Sequence, residues 1–245
     1  MASADRPLLI PFGTADPRKA VDVGANSGRQ GNLFSLAPAR TEPLRLHHGP
    51  YDFRATPGLG AASDTETRLT LIHDHLRALC GLWDKNQRLL IDLYFDFITA
   101  ELDRNALTLT AALSDFDNLY HYRDWAFSAL RPLPRAHIST DDIDDKNTPY
   151  VALDFAFYTG ERLIGVTITG HQTATKSRVL ELESLRHAGV DILEIHSGHL
   201  LANGVAYLGK TLPPVFHKFW VGEILPVSPF KSAAIDLMLT DEVSF

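Results

Sequence analysis

A single cysteine, Cys80, occurs in the 245 residues, which excludes an intrachain disulfide and any cluster of thiolate metal ligands. Cys80 lies in the apolar run LRALCGLW, the setting of a packed core thiol rather than of an exposed nucleophile. Long hydrophobic runs are missing as well. No stretch approaches the ~20 apolar residues that span a bilayer. The opening MASADRPLLIPFG lacks the long apolar core behind a basic start that marks a secretory signal. A soluble, cytoplasmic protein with no membrane contact is therefore expected. Positive charge is in deficit: 23 Lys+Arg against 30 Asp+Glu give a net charge of -7. That balance argues against a broad nucleic-acid-binding surface and leaves room only for a narrow basic groove. GxxxxGK[ST], GxGxxG and GxSxG are absent, and there is no internal repeat.

What is present is the composition of a globular protein, 45% hydrophobic, with enough chain for one good-sized domain and an appendage. Residues 1–62 read as an irregular N-terminal arm rich in Gly and Pro, with GANSGRQGN as a linker-like stretch. Its short apolar anchors (Leu8, Leu9, Ile10, Leu33, Phe34) can dock on the body or on a partner. Residues 63–245 form the domain proper. Ser63 and Glu66 have capping-box spacing and open a helix through Leu69, Ile72, Leu76, Leu79 and Trp83. A second helix, apolar on much of its circumference, covers 85–104 and carries Glu101 near its end. Residues 106–113, ALTLTAAL, alternate as a strand does. A short helix is expected around 120–130, ended by Pro132 and Pro134.

From 150 to 196 the pattern is sharper: a strand (150–158), a turn at Gly160, and a second strand (162–169). An amphipathic helix follows (176–188, with Val179, Leu180, Leu182 and Leu185 inward), stopped by Gly189, and then a strand (190–195). The tail is apolar and aromatic (Val215, Phe216, Phe219, Trp220, Ile224, Leu225) and suits extra helix and loop or a partner surface. At the centre of the first strand stands Asp154, among Val151, Leu153, Phe155 and Phe157. An ionised carboxylate there is costly unless a cation or hydrogen bonds compensate it. Its small neighbours Ala152 and Ala156 leave room for a ligand. A metal ligand and a structural carboxylate are the two readings of this residue.

The order helix, strand, hairpin, helix, strand, with VTITGH, SRVLELESLRHAG and VDILEI in succession, resembles the core of the PD-(D/E)xK nucleases, the restriction-endonuclease-like superfamily, in its Vsr-like form. The resemblance covers residues ~85–196. It implies an α/β fold with a restriction-endonuclease-like core, a mixed sheet flanked by helices. In that family an Asp on the first hairpin strand and an acidic residue on the second hold Mg²⁺ or Mn²⁺. A nearby Lys helps to orient the attacking water. Carried over, Asp154 matches the metal-binding Asp, and Glu101 resembles an additional carboxylate found in some members. His171 matches a histidine after the glycine. Thr167 stands where the acidic ligand belongs and Thr169 where the Lys belongs.

Threonine is a poor Mg²⁺ ligand and carries no positive charge. The resemblance therefore implies a degenerate member that binds or scaffolds within a nucleic-acid-processing complex, meeting a protein partner through the arm or the aromatic tail. The alternative is an active nuclease whose catalytic set is Asp154, Glu101 and a migrated Lys176, or Glu181 or Glu183, with Asp154 and Glu101 on the metal. An unrelated α/β fold with a small-molecule pocket is the third reading. Elsewhere, His73 and His75 sit two apart on a helix, about 200° around, and cannot share a metal. His196 and His199 could hold zinc only with help from elsewhere, such as His171. The acidic run at 141–145 lacks EF-hand spacing.

Overall fold

Two antiparallel helices open the domain, each started by an aspartate. Asp64 accepts from the Thr67 amide at 2.7 Å and begins α1 (Thr65–Leu79). Asp84 accepts from the amides of Asn86 and Gln87 and begins α2 (Lys85–Arg104). An aspartate in this position satisfies amides that the first helical turn leaves unpaired. The α1 cap is thus Asp64 rather than the expected Ser63–Glu66 box. These features come from a computed structural model that describes residues 8–18, 32–36, 40–48, 64–82, 84–139, 150–170 and 175–226. Ser63, Trp83, His171 and the acidic run at 141–145 lie outside the described residues.

The remaining elements are β1 (Leu8–Pro11), β2 (Leu33–Leu36), α3 (Ala106–Ala112), β3 (Leu133–Ser139), β4 (Tyr150–Tyr158), β5 (Leu163–Thr169), α4 (Lys176–His187), β6 (Val190–His196) and α5 (Ser197–Thr211). Four strands form a mixed sheet in the order β3-β4-β5-β6, in which only the β5–β6 pair is parallel. The fold is α/β with helices on both faces. Phe155, Phe157, Ile164, Val166 and Ile195 pack on one face against α1, α2 and α5. Leu133, Leu153, Leu163 and Val190 pack on the other against Leu182 and Leu185 of α4 and against Ile10 and Phe34. None of the described helices is long and apolar enough to cross a membrane.

Several expectations are corrected. Residues 106–113 are not a strand. Ala and Leu are strong helix formers, and the segment continues α2 as α3 after a break at Asn105, burying Leu109 and leaving Leu107 exposed. β3 went unforeseen because Pro134 argues against a central strand. β3 is an edge of its sheet, where a missing amide costs no ladder bond, and the Pro134 carbonyl accepts from Gly13 at 2.7 Å. The short helix near 120–130 is a 3-10 helix, Tyr122–Ser128. On α4 only Leu182 and Leu185 are buried, and Val179 and Leu180 are exposed.

The described parts of the N-terminal arm dock on the body. β1 and β2 pair with one another, and residues 40–48 lie as a strap across the molecule. The strap bonds through Leu44 N–H to Tyr158, Leu46 N–H to Ala129 and Leu44 O to Arg131. Arg45 donates to the carbonyls of Ser128 and Phe219 and pairs with Glu223 at 2.6 Å. In the tail, Phe216 and Phe219 are taken into the core, while Val221 and Ile224 remain exposed.

Candidate functional site around Asp154

Regular alternation fails at Asp154. Leu153 and Ala156, three residues apart, share one face while Phe155 and Phe157 take the other. The neighbouring strand slips in step, since Leu133, Ala136 and Ile138 also share a face. Arg135 lies opposite Asp154 in the register and is the one described residue other than glycine with a positive φ, 49°. The register keeps its count across this step, one residue on each strand, so the irregularity is an unpaired step in the ladder at which the side chains change face. Beyond this point β4 and β5 part: their pairing covers only Phe155–Tyr158 against Leu163–Val166.

The Asp154 carboxylate occupies the fork. One oxygen accepts from the Ile168 amide at 2.6 Å, a donor the interrupted ladder leaves over, and the other from Gln87 Nε2 at 2.9 Å. Gln87 is buried and fixed from the other side, where its Oε1 accepts from the Gly81 amide at 3.2 Å. Burial pushes the Asp154 carboxyl above its ordinary value, and the charge of Asp84 adds to this. The two hydrogen bonds and the charge of Arg178 pull the other way. Arg178 reaches across from α4, donating to Ala152 O at 2.7 Å and pairing with Glu181 at 3.0 Å.

The other candidates are distributed around this point rather than gathered on it. Glu101 lies fourteen residues beyond Gln87 on α2, about 21 Å along the axis, so its carboxylate cannot meet that of Asp154. It is buried and bound to Arg104, and it lies 3.7 Å from His217, fastening the tail to α2. Lys176 is exposed at the first position of α4. Glu181 is committed to Arg178, and Glu183 is exposed. Thr167 is buried opposite Glu194, and Thr169 pairs with His196 at the strand end.

A hard divalent cation asks for several oxygen ligands converging at short range. Here Asp154 offers one carboxylate, both of whose oxygens already accept hydrogen bonds. Its acidic neighbour Asp84 is occupied as the α2 cap. Among the described residues no three His, Cys, Asp or Glu side chains come together as a metal set. The residues present therefore do not fit the Mg²⁺ or Mn²⁺ centre that the family resemblance implied. His196 and His199 do meet, their rings 5.6 Å apart, but His199 stacks on Tyr207, whose hydroxyl accepts from the His196 amide.

Sequence reasoning missed Gln87, Asp84 and Arg178, the three side chains that set the environment of Asp154. Only the polar position of Gln87 on an otherwise apolar helix face hinted at it. No family model, no curated protein and no solved structure matches this chain.

Proposed function

We propose that this chain is a restriction-endonuclease-like domain that no longer hydrolyses phosphodiesters and works as a binding or structural subunit. The observation that carries this reading is the state of Asp154, whose two oxygens are spent on Gln87 and the Ile168 amide. A carboxylate used in this way closes the gap between two strands instead of presenting itself to a cation. Thr167 and Thr169 support the same reading, because neither supplies the charge that phosphodiester hydrolysis needs. The strand order and mixed pairing are compatible with a nuclease-type core. The exposed apolar side chains at the end of the described tail, Val221 and Ile224, are the surface we assign to a protein partner.

The test is calorimetric titration of the full chain with Mn²⁺, wild type against Asp154→Asn, with cleavage of single- and double-stranded DNA and RNA assayed on the same samples. The expected result is no saturable Mn²⁺ binding and no cleavage by either protein. Saturable binding that vanishes in the variant, together with metal-dependent cleavage by the wild type, would overturn the reading. It would establish an active centre at Asp154.

A further inference from the structure

A cleft of about 610 Å³ lies between α1 and α2, closed at one end by the 3-10 helix Tyr122–Ser128. This is within the range of small-molecule sites, and it is remote from Asp154, which does not line it. Its floor is apolar, made of Leu69, Phe95, Ile98 and Leu102. Its α1 wall, Thr65 to Arg77, is about 18 Å long at the helical rise, long enough to follow an extended chain.

Carboxylates outnumber guanidinium groups along the cleft, Glu66, Asp74, Asp92 and Asp96 against Arg77 and Arg123. Thr70 and Thr99 give their hydroxyl hydrogens to the carbonyls of Glu66 and Phe95, at 2.9 and 3.1 Å, so only oxygen lone pairs remain for a ligand. His73 faces carboxylates through both ring nitrogens, Asp92 at 2.8 Å and Asp74 at 3.1 Å, which leaves neither nitrogen for a ligand. The two arginines are engaged, Arg77 by Asp92 and Arg123 by Asp103. Glu66 and Asp96 have no ion-pair partner among the described residues. Asp92 and Asp96 are one α2 turn apart, about 6 Å along the axis, and Glu66 stands on the facing helix α1.

We propose that this cleft binds a linear aliphatic polyamine, its methylenes on the apolar floor and its ammonium groups on the carboxylates. Ammonium groups separated by three or four methylenes are about 5–6 Å apart in an extended chain, which matches the interval from Asp92 to Asp96. The proposal is independent of the nuclease-fold reading and survives or fails without it.

The experiment is calorimetric titration of the full chain with spermidine, with butylamine as the single-charge comparison and tetralysine as the peptide source of the same chemistry. The proteins are wild type, Glu66→Gln/Asp96→Asn, Thr99→Lys, which puts an ammonium of the protein's own into the cleft, and Asp115→Asn. Asp115 is exposed outside the cleft. Circular dichroism checks that each variant is folded.

The expected result is one spermidine per wild-type chain, at least tenfold tighter than butylamine. Binding should weaken at least tenfold in Glu66→Gln/Asp96→Asn and in Thr99→Lys, and stay unchanged in Asp115→Asn. Absence of binding, or weakening by Asp115→Asn as large as by the cleft variants, overturns the proposal, the latter reducing the effect to net charge. Tighter binding of tetralysine at the same residues overturns it in favour of a partner's lysine side chains.

Discussion

Asp154 is a buried acid whose environment favours its neutral form yet uses both of its oxygens as acceptors. Removing the side chain leaves the Ile168 amide and Gln87 Nε2 without their acceptor. Asp154→Ala should therefore cost about 1–3 kcal/mol in urea unfolding at neutral pH. The pH dependence has a definite sign. The folded-state pKa is raised above the ordinary 3.8, chiefly by burial, so the stability this residue contributes is full below that value. It is lost as pH rises through the raised one. Asp154→Asn does not titrate, so the stability difference between wild type and variant should shift in the variant's favour from pH 4 to 7. A difference independent of pH would contradict this assignment. Asp154 was legible from sequence because a charge in an apolar strand is conspicuous. Gln87, Asp84 and Arg178 were not, because they come from two helices whose approach depends on the sheet between them. Glu101 misled for a related reason: its position near a helix end gives no hint that a tail residue, His217, comes back to meet it.

At the scale of elements, the turn between β4 and β5 is held tightly against the strap. Gly160 has φ 94°, and a Cβ there would run into the Thr41 carbonyl oxygen and the Pro43 ring. Both the backbone conformation and the close approach call for glycine. Gly160→Ala should destabilise by about 1–3 kcal/mol, measured by thermal or urea unfolding. Gly189→Ala, at φ 87° but with no atom within 4 Å, should cost less, because it lacks the collision. Equal losses would mean that the strap does not press on the turn. The turn, its two strands, α4 and β6 were readable in advance because alternation, a helical stripe and glycine stops agreed with one another. Residues 106–113 defeated the same reasoning, since alternation over eight residues is satisfied by a short helix with one buried leucine. β3 was hidden by a proline whose tolerance depends on its being at a sheet edge, a fact about neighbours rather than about the segment.

Over the whole molecule four half-buried histidines give stability a direction in pH. His47, His48, His75 and His137 all have their pKa lowered, first by burial, and His48 is brought from 6.5 to about 4. Around His48 stand His47, whose ring centre is 3.9 Å away, and Arg40, Arg45 and Arg131, all disfavouring protonation. His48 Nδ1 also accepts from the Arg45 amide at 3.0 Å, a bond that a proton on that nitrogen would abolish. Imidazoles held neutral in this way contribute stability that is full above pH 6.5 and lost as pH falls toward and through about 4. The melting temperature should fall over that interval, with His48→Asn falling less steeply than wild type. Parallel curves would remove His48 from the account. Asp154 acts in the opposite sense, but as one carboxyl against four imidazoles.

Arg45 joins residues far apart along the chain, reaching Ser128 across 83 positions and Phe219 across 174. The entropy of closing a loop grows with its length, so contacts of this span are the ones a folding chain can least readily make before the rest is in place. The sheet and its helices have shorter closures to complete first. On that ordering the strap acts as a latch that fastens last, tying the beginning of the chain to its described end only after the core between them exists.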